Sequence, residues 1–259
     1  MKPNFTPSHR NPLAIMTHSD FSSRRLRVAV TGGTSGLGLA LVEALAARGD
    51  AVAFVARDGA RVRRVAREIA GSHGIAGDVS QKNEAHPIAL QIGGALGGLD
   101  VLIHNASSLG PVPLVLLADT ACEDFEAALA TNVLGPFRLT KALLGLLAAS
   151  ARASRERGLR ALVVNITSDA AVTPYPGWGA YGASKAALAH MSRIWNEELV
   201  AQNIGVIDVD PGDMDTPMHA AALPDADPAT LKPPRLAARE LIARIDRERQ
   251  APAPRPSSP

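Results

Sequence analysis

From Leu26 onward the chain alternates between short runs that are apolar throughout and longer stretches whose apolar residues recur at helical spacing. "LRVAVTG" at 26–32 reads as a buried strand, followed by a helix from Leu37 to about Arg48. "AVAFVA" at 51–56 is a second strand. "RVRRVAREIA" at 61–70 then sets Val62, Val65, Ala66 and Ile69 on one helical face. Its arginines fall on the opposite, solvated face, which confines any ligand role to the helix start. A third strand ends at Asp78, and a fourth is "LDVLIHN" at 99–105. A long helix runs from about Asp119 to Ala151, "RALVVNITS" at 160–168 is the fifth strand, and a helix covers about 179–202. "IGVIDVDPG" at 204–212 is the sixth strand. Beyond Gly212 the pattern weakens into a Pro-rich irregular stretch, and a final helix occupies "RLAARELIARIDRERQ" at 235–250. Strands without polar alternation, separated by helices, imply an α/β fold: a doubly wound parallel sheet with helices on both faces. Nothing after the last helix resembles a strand, so the sheet ends early. Residues 25–249 form one domain in this reading, with a flexible lead at 1–24 and a disordered tail at 250–259 whose "APAPRPSSP" has the composition of disorder.

Composition narrows the partners. The 259 residues are 46% hydrophobic but only 3% aromatic, so the core is built from Ala, Val, Leu and Ile. The net charge is +2, yet residues 1–27 carry +4 (Lys2, Arg10, Arg24, Arg25 and Arg27 against Asp20), which leaves the body near −2. A near-neutral body argues against a nucleic-acid surface. No apolar run reaches the roughly 20 residues of a membrane span. Cys122 is the sole cysteine, which excludes an internal disulfide and a thiolate metal site and fits a reducing, cytoplasmic setting.

"TGGTSGLG" at 31–38 joins the first strand to the first helix. Glycines there permit a tight turn and close backbone approach, and the helix start presents N–H groups to a pyrophosphate. Gly32, Thr34, Ser35, Gly36, Leu37 and Gly38 are therefore candidate ligands of a dinucleotide. No Lys-Ser/Thr pair follows the glycines, which disfavours a P-loop nucleotidase. The acidic residue that binds an adenosine 2′-hydroxyl in such folds is expected near position 56, which is alanine, and Arg57 follows it. A guanidinium suits a 2′-phosphate, so NADP(H) is preferred over NAD(H). In the competing reading Arg57 is merely solvated and Asp58 takes the ribose, although Asp58 also suits an N-cap.

"GAYGASKAAL" at 179–188 places Tyr181 and Lys185 on one helical face, in a chain with only two tyrosines and five lysines. A nearby ammonium favours phenolate and lowers a tyrosine pKa, and such a tyrosine can pass a proton to or from a substrate oxygen.

"TGGTSGLG", "GDVS" (77–80), "HNAS" (104–107), "TNVLGPF" (131–137), "NITS" (165–168), "YGASK" and "DPGDMDT" (210–216) occur in that order. Together, over about Leu26 to Gln250, they resemble the short-chain dehydrogenase/reductase family in its single-domain, Rossmann-like form. The resemblance implies that Tyr181 is the catalytic acid/base, Lys185 its pKa-lowering and ribose-binding partner, Ser168 the substrate-orienting serine and Asn132 a member of the proton relay. It also implies that Asp78 and Val79 contact adenine, Asn105 and Ala106 flank the adenosine ribose, and Pro211, Gly212 and Thr216 surround the nicotinamide. Pro136 lacks an N–H, so the residue-132 carbonyl loses its helical partner and is free to hold a relay water, while Gly135-Pro136 also kinks the helix. His104 and Ser107 stand where the family usually has Asn and Gly, and His104 is read as structural packing. The family's last strand is missing. The two long helices resemble its dimer-forming pair, so a homodimer is expected.

The reading is an NADP(H)-dependent oxidoreductase interconverting a small-molecule carbonyl and an alcohol, without a metal, with Trp178, Tyr175, Met214 and Met218 lining an apolar substrate pocket. The alternative is a catalytically impaired NADP(H)-binding sensor or scaffold, motivated by the missing strand and altered "HNAS". A sugar-nucleotide epimerase is weaker, because no sugar-binding C-terminal domain is visible.

Overall fold

A computed structural model describes residues 25–251. The lead expected at 1–24 and the tail from 252 onward lie outside them, and Gln250 closes the last helix. Six strands form one parallel sheet: β1 (Arg27–Thr31), β2 (Ala51–Ala56), β3 (Ser72–Ala76), β4 (Val101–His104), β5 (Ala161–Ile166) and β6 (Ile204–Val209). Their order is β3-β2-β1-β4-β5-β6. The reversal between β1 and β4 opens a crevice at the carboxyl ends of these strands, where ligands bind in open α/β sheets.

Each face of the sheet has its own helical layer. One is covered by α1 (Gly36–Ala47), α2 (Gly59–Glu68) and α8 (Pro234–Gln250), whose Leu41, Leu45, Val62, Val65, Leu241 and Ile245 pack on the Val28, Val30 and Phe54 face. The other carries α3 (Ala85–Leu96), α5 (Gly135–Ser154) and α6 (Gly179–Leu199), with Ile88, Ile92, Leu139, Leu143 and Leu147 against Ala29, Leu102 and Val163. Strand residues of both parities are buried, which explains why the sequence shows runs rather than alternation.

The long helix expected from Asp119 is divided. α4 (Cys122–Leu129) passes through a π turn at Ala130–Leu134 before α5 begins with Pro136 in its first turn. Pro136 has no N–H to continue the ladder, and the Gly135 N–H reaches back to the Ala130 carbonyl instead. The stretch Cys122–Arg157 has the length and apolarity of a membrane span. Its Leu139, Leu143, Leu147 and Ala151 are nevertheless fully buried against the sheet, at the spacing of one helix face.

Several strands stop short of their expected ends. β3 finishes at Ala76 rather than Asp78, and β6 at Val209 rather than Gly212. At both places side chains take over from the ladder: Asp78 Oδ1 accepts from the Ser80 N–H, and Asp210 Oδ1 from the Gly212 N–H. The stretch after Gly212, expected to be irregular, contains α7 (Pro217–Ala222). Thr216 caps it by accepting the His219 N–H, and Pro217 occupies the first turn.

Among the described residues no strand follows α8, and β6 is an edge. In the parallel ladder Val209 faces β5, bonding the Thr167 N–H, so Val206 and Asp208 face outward. The Val206 N–H donates to Asn196 Oδ1 at 3.1 Å, and the Asp208 carbonyl accepts from Arg244 Nη2 at 3.4 Å. Side chains of α6 and α8 thus take up part of the bonding that a seventh strand would supply.

Candidate active site

A cavity of about 820 Å³ opens at the carboxyl ends of the strands. The β1–α1 turn forms one wall. Gly32 turns there with φ +72°, and a Cβ at this position would lie 2.9 Å from both Ala106 Cα and Asn105 Nδ2. A Cβ on Gly38 would overlap the Gly32 carbonyl. These two glycines let strand, turn and helix close on one another. Asn105 holds the turn, since its Nδ2 donates to the Thr31 and Gly32 carbonyls at 3.0 and 3.3 Å. Thr31 Oγ1 accepts the N–H groups of Asn105 and Ala106. No side chain caps the start of α1, and Thr34, Ser35, Gly36 and Leu37 all line the cavity beside it.

Arg57 is exposed at the end of β2 and lines the same side. Asp58 accepts the backbone N–H groups of Ala60 and Arg61, as an N-cap does. The Arg61 N–H, ahead of a smaller contribution from Ala60, holds its carboxyl below the ordinary range. Arg61 is exposed, as expected for the arginines of α2, and stands in the first turn of the helix, where a ligand role was left open. It lines the cavity, with Nη2 3.5 Å from the Thr34 carbonyl. Asp78, Val79, Asn105, Ala106, Pro211, Gly212 and Thr216 line the cavity as well, whereas Gly38 and Asn132 stand behind its wall.

At the other end, α6 presents Tyr181 and Lys185 one turn apart, 8% and 2% exposed. Lys185 Nζ donates to the Ile166 carbonyl at 2.7 Å and lies 5.4 Å from the Tyr181 ring centre. Burial pushes this ammonium down to about 7, against an opposing pull from Asp210. Tyr181 moves opposite to the expected direction, up to about 12. Burial dominates, a hydrogen bond with Ser168 opposes it, and the charges of Asp210, Asp169 and Asp213 add to it. Lys185, whose Nζ is turned to the Ile166 carbonyl, does not reverse that balance.

Ser168 follows β5 and opens a short turn, where its Oγ accepts the Ala170 N–H. Its hydroxyl donates to Asp169 Oδ1 at 2.9 Å, and Tyr175 OH donates to Asp169 Oδ2 at 2.7 Å. Asn132 is 1% exposed and fully engaged. Its Nδ2 donates to Ser184 Oγ and to the Ser108 carbonyl, while its Oδ1 accepts the Ser108 N–H and the Ser107 hydroxyl. Ser184 in turn donates to the Tyr181 carbonyl. The side chain of Asn132, within the π turn, therefore braces the helical turn that carries the tyrosine. Ser107, where a glycine is usual, contributes to that brace.

His104 is packing, as expected: it is buried, shares a 2.8 Å hydrogen bond with Thr140, and burial pushes its pKa down to about 3. Tyr175, Trp178, Met214 and Met218 line the cavity with Leu109 and Leu223. Sequence reasoning did not single out Arg61, Asp169 or His219. Asp169 had a signal in its place next to Ser168, and Arg61 in its place within one turn of the helix start.

The donor set fits a dinucleotide: an uncapped helix start, a glycine turn admitting close approach, arginines at one end and a Tyr–Lys–Ser group at the other. Comparison with known proteins agrees. A family model described as short chain dehydrogenase matches residues 27–227. A glucose 1-dehydrogenase of Gluconobacter oxydans is 30% identical over 204 residues, covering 77% of this chain and 73% of that protein. An uncharacterized short-chain type dehydrogenase/reductase of Sinorhizobium fredii is 31% identical over 194 residues, 74% of this chain. The match spans only 33% of that longer protein. Among solved structures, a short chain dehydrogenase of Shigella flexneri complexed with NADP superposes with a TM-score of 0.76 at 26% identity, over 88% of this chain and 94% of that one. From the first strand to the loop beyond α7 the likeness is continuous, and the chain belongs to the short-chain dehydrogenase family of oxidoreductases.

Proposed function

We propose that this protein is an NADP(H)-dependent oxidoreductase that interconverts a ketone or aldehyde with its alcohol. The observation carrying the proposal is the continuity of one cavity from the glycine turn and Arg57 to Ser168, Tyr181 and Lys185. The bound nicotinamide would supply or accept the hydride. Gly32, Thr34, Ser35, Gly36 and Leu37 would hold its pyrophosphate, and Arg57 with Arg61 would face a 2′-phosphate. Asp78, Val79, Asn105 and Ala106 would flank the adenosine. Pro211, Gly212 and Thr216 would flank the nicotinamide. The NADP complex of the Shigella flexneri neighbour supports a nicotinamide cofactor on this fold.

The residues of the chain divide the remaining work. Tyr181, with its pKa near 12, holds its proton at neutral pH and is set to donate it to a carbonyl oxygen. Ser168 orients that oxygen. Lys185, near 7, can give a proton back toward the tyrosine at working pH, and Asn132 positions the tyrosine through Ser184. The retention of Ser168, Tyr181 and Lys185 on an open cavity favours an enzyme over a binding-only sensor. The α5 and α6 helices are the surfaces through which a homodimer would form.

Fluorescence titration with NADPH and NADH side by side, followed by NADPH consumption across a carbonyl panel, tests the proposal. Tighter NADPH binding and turnover of at least one ketone or aldehyde is expected. Cofactor binding with no turnover across diverse carbonyls would favour the sensor. Tighter NADH binding would remove the role of Arg57.

A further inference from the structure

The carboxylate next to the catalytic serine has no part in the proton chemistry described above, yet it accepts a hydrogen bond from that serine's hydroxyl. Ser168 donates to Asp169 Oδ1 at 2.9 Å, and Tyr175 OH pins Oδ2 at 2.7 Å. When Ser168 turns to donate to a substrate carbonyl oxygen, Oδ1 is left facing the carbonyl with an open acceptor. A plain ketone brings this exposed acceptor no partner but solvent. A 2-oxo acid would set a second carboxylate beside it.

Resting on the oxidoreductase reading, we propose that Asp169 is a specificity-determining residue that selects carbonyl substrates bearing a hydrogen-bond donor, an ammonium or a hydroxyl, on the carbon next to the carbonyl. In such a substrate the donor and the carbonyl oxygen lie about one hydrogen-bond length apart, as Ser168 Oγ and Asp169 Oδ1 do. The carbonyl oxygen takes the serine proton while the neighbouring donor takes the place the serine vacated. The charges on this end of the cavity favour the same class. Asp210 and Asp213 line it with Asp169, against Lys185 and His219, and Lys185 Nζ is turned to the Ile166 carbonyl. Arg57 and Arg61 belong to the glycine-turn side. Leu109, Trp178, Met218 and Leu223 leave an apolar surface for the rest of the skeleton.

Four aryl ketones of nearly equal size separate the outcomes: 2-aminoacetophenone with the amine on the α-carbon, 2-hydroxyacetophenone, propiophenone and benzoylformate. They are compared by kcat/KM with NADPH at mildly acidic pH, where the α-amine is protonated. The two α-donor ketones are expected to exceed propiophenone by about threefold or more, with benzoylformate slowest. In Asp169→Asn the ratio of the amino ketone to propiophenone should fall toward one, mainly through KM. Equal values for the four, a preference for benzoylformate, or a ratio that survives Asp169→Asn would overturn the inference while leaving the oxidoreductase reading intact. If the variant does not fold, the wild-type ranking decides. Turnover of none of the four by protein that binds NADPH would also overturn the inference, and NADPH consumption across the wider carbonyl panel then decides the proposed function separately.

Discussion

Lys185 links the chemistry of the site to the stability of the fold, and its replacement by methionine measures that link. Burial holds the folded-state pKa at about 7, against 10.5 for an ordinary lysine. The unfolded chain therefore binds more protons than the folded one between these two values, so stability rises with pH across that window and is lower below it. A single group contributes a slope of at most about 1.4 kcal/mol per pH unit. From about pH 7 to pH 9 the lysine should add on the order of 2 kcal/mol. Methionine fills similar space without a titrating group, but it removes the 2.7 Å bond to the Ile166 carbonyl, a loss of about 1 kcal/mol that does not vary with pH. Urea unfolding of both proteins at several pH values in this range gives the difference in slope directly. The wild type should gain stability relative to Lys185→Met as pH rises. Parallel curves would refute the reasoning, because they would mean that Lys185 keeps an ordinary pKa in the folded protein.

Other positions give further tests. Gly32→Ala places a Cβ at φ +72° and 2.9 Å from Ala106 Cα; destabilisation of about 2 kcal/mol or more is expected in thermal unfolding, with weaker NADPH binding. Arg57→Ala should reduce NADPH affinity about tenfold or more and leave NADH affinity nearly unchanged, as read by fluorescence titration. Asp100 is held at about 2: burial pushes it up, but hydrogen bonds from Arg27 and Ser150 outweigh that. Its contribution is present above the unfolded carboxylate range and lost as pH falls toward 2, so Asp100→Asn should flatten the acid limb of a denaturation profile by on the order of 1 kcal/mol after solvent screening.

Much of the fold was legible because buried parallel strands leave a direct mark. β1, β2, β4, β5 and β6 are apolar on both faces and stand out as runs, whereas β3, with the sequence "SHGIA", could be located only by its end. The site was legible where residue type and spacing coincide with function, as at Tyr181, Lys185 and the glycine turn. Other features depend on three dimensions. A helical wheel gives the polar face of α2 and a ligand role at its start, but not which arginine there adjoins the cavity, and the fold brings Arg61 to it. The Thr216-Pro217 pair is a readable helix start, but the prolines around it obscured α7. Pro136 signals a broken ladder, yet the π turn and the engagement of Asn132 with Ser107, Ser108 and Ser184 require the fold. The direction of the Tyr181 pKa could not be read from a Tyr-x3-Lys spacing, because burial and three carboxylates, none of them visible in that spacing, decide it.

The central claim is that Tyr181 carries the proton of a carbonyl–alcohol interconversion, and Tyr181→Phe tests it most directly when NADPH binding and turnover are measured on the same preparation. The account expects turnover to fall by at least about a thousandfold, with NADPH affinity within a few-fold of wild type. Turnover close to wild type in this variant would contradict it.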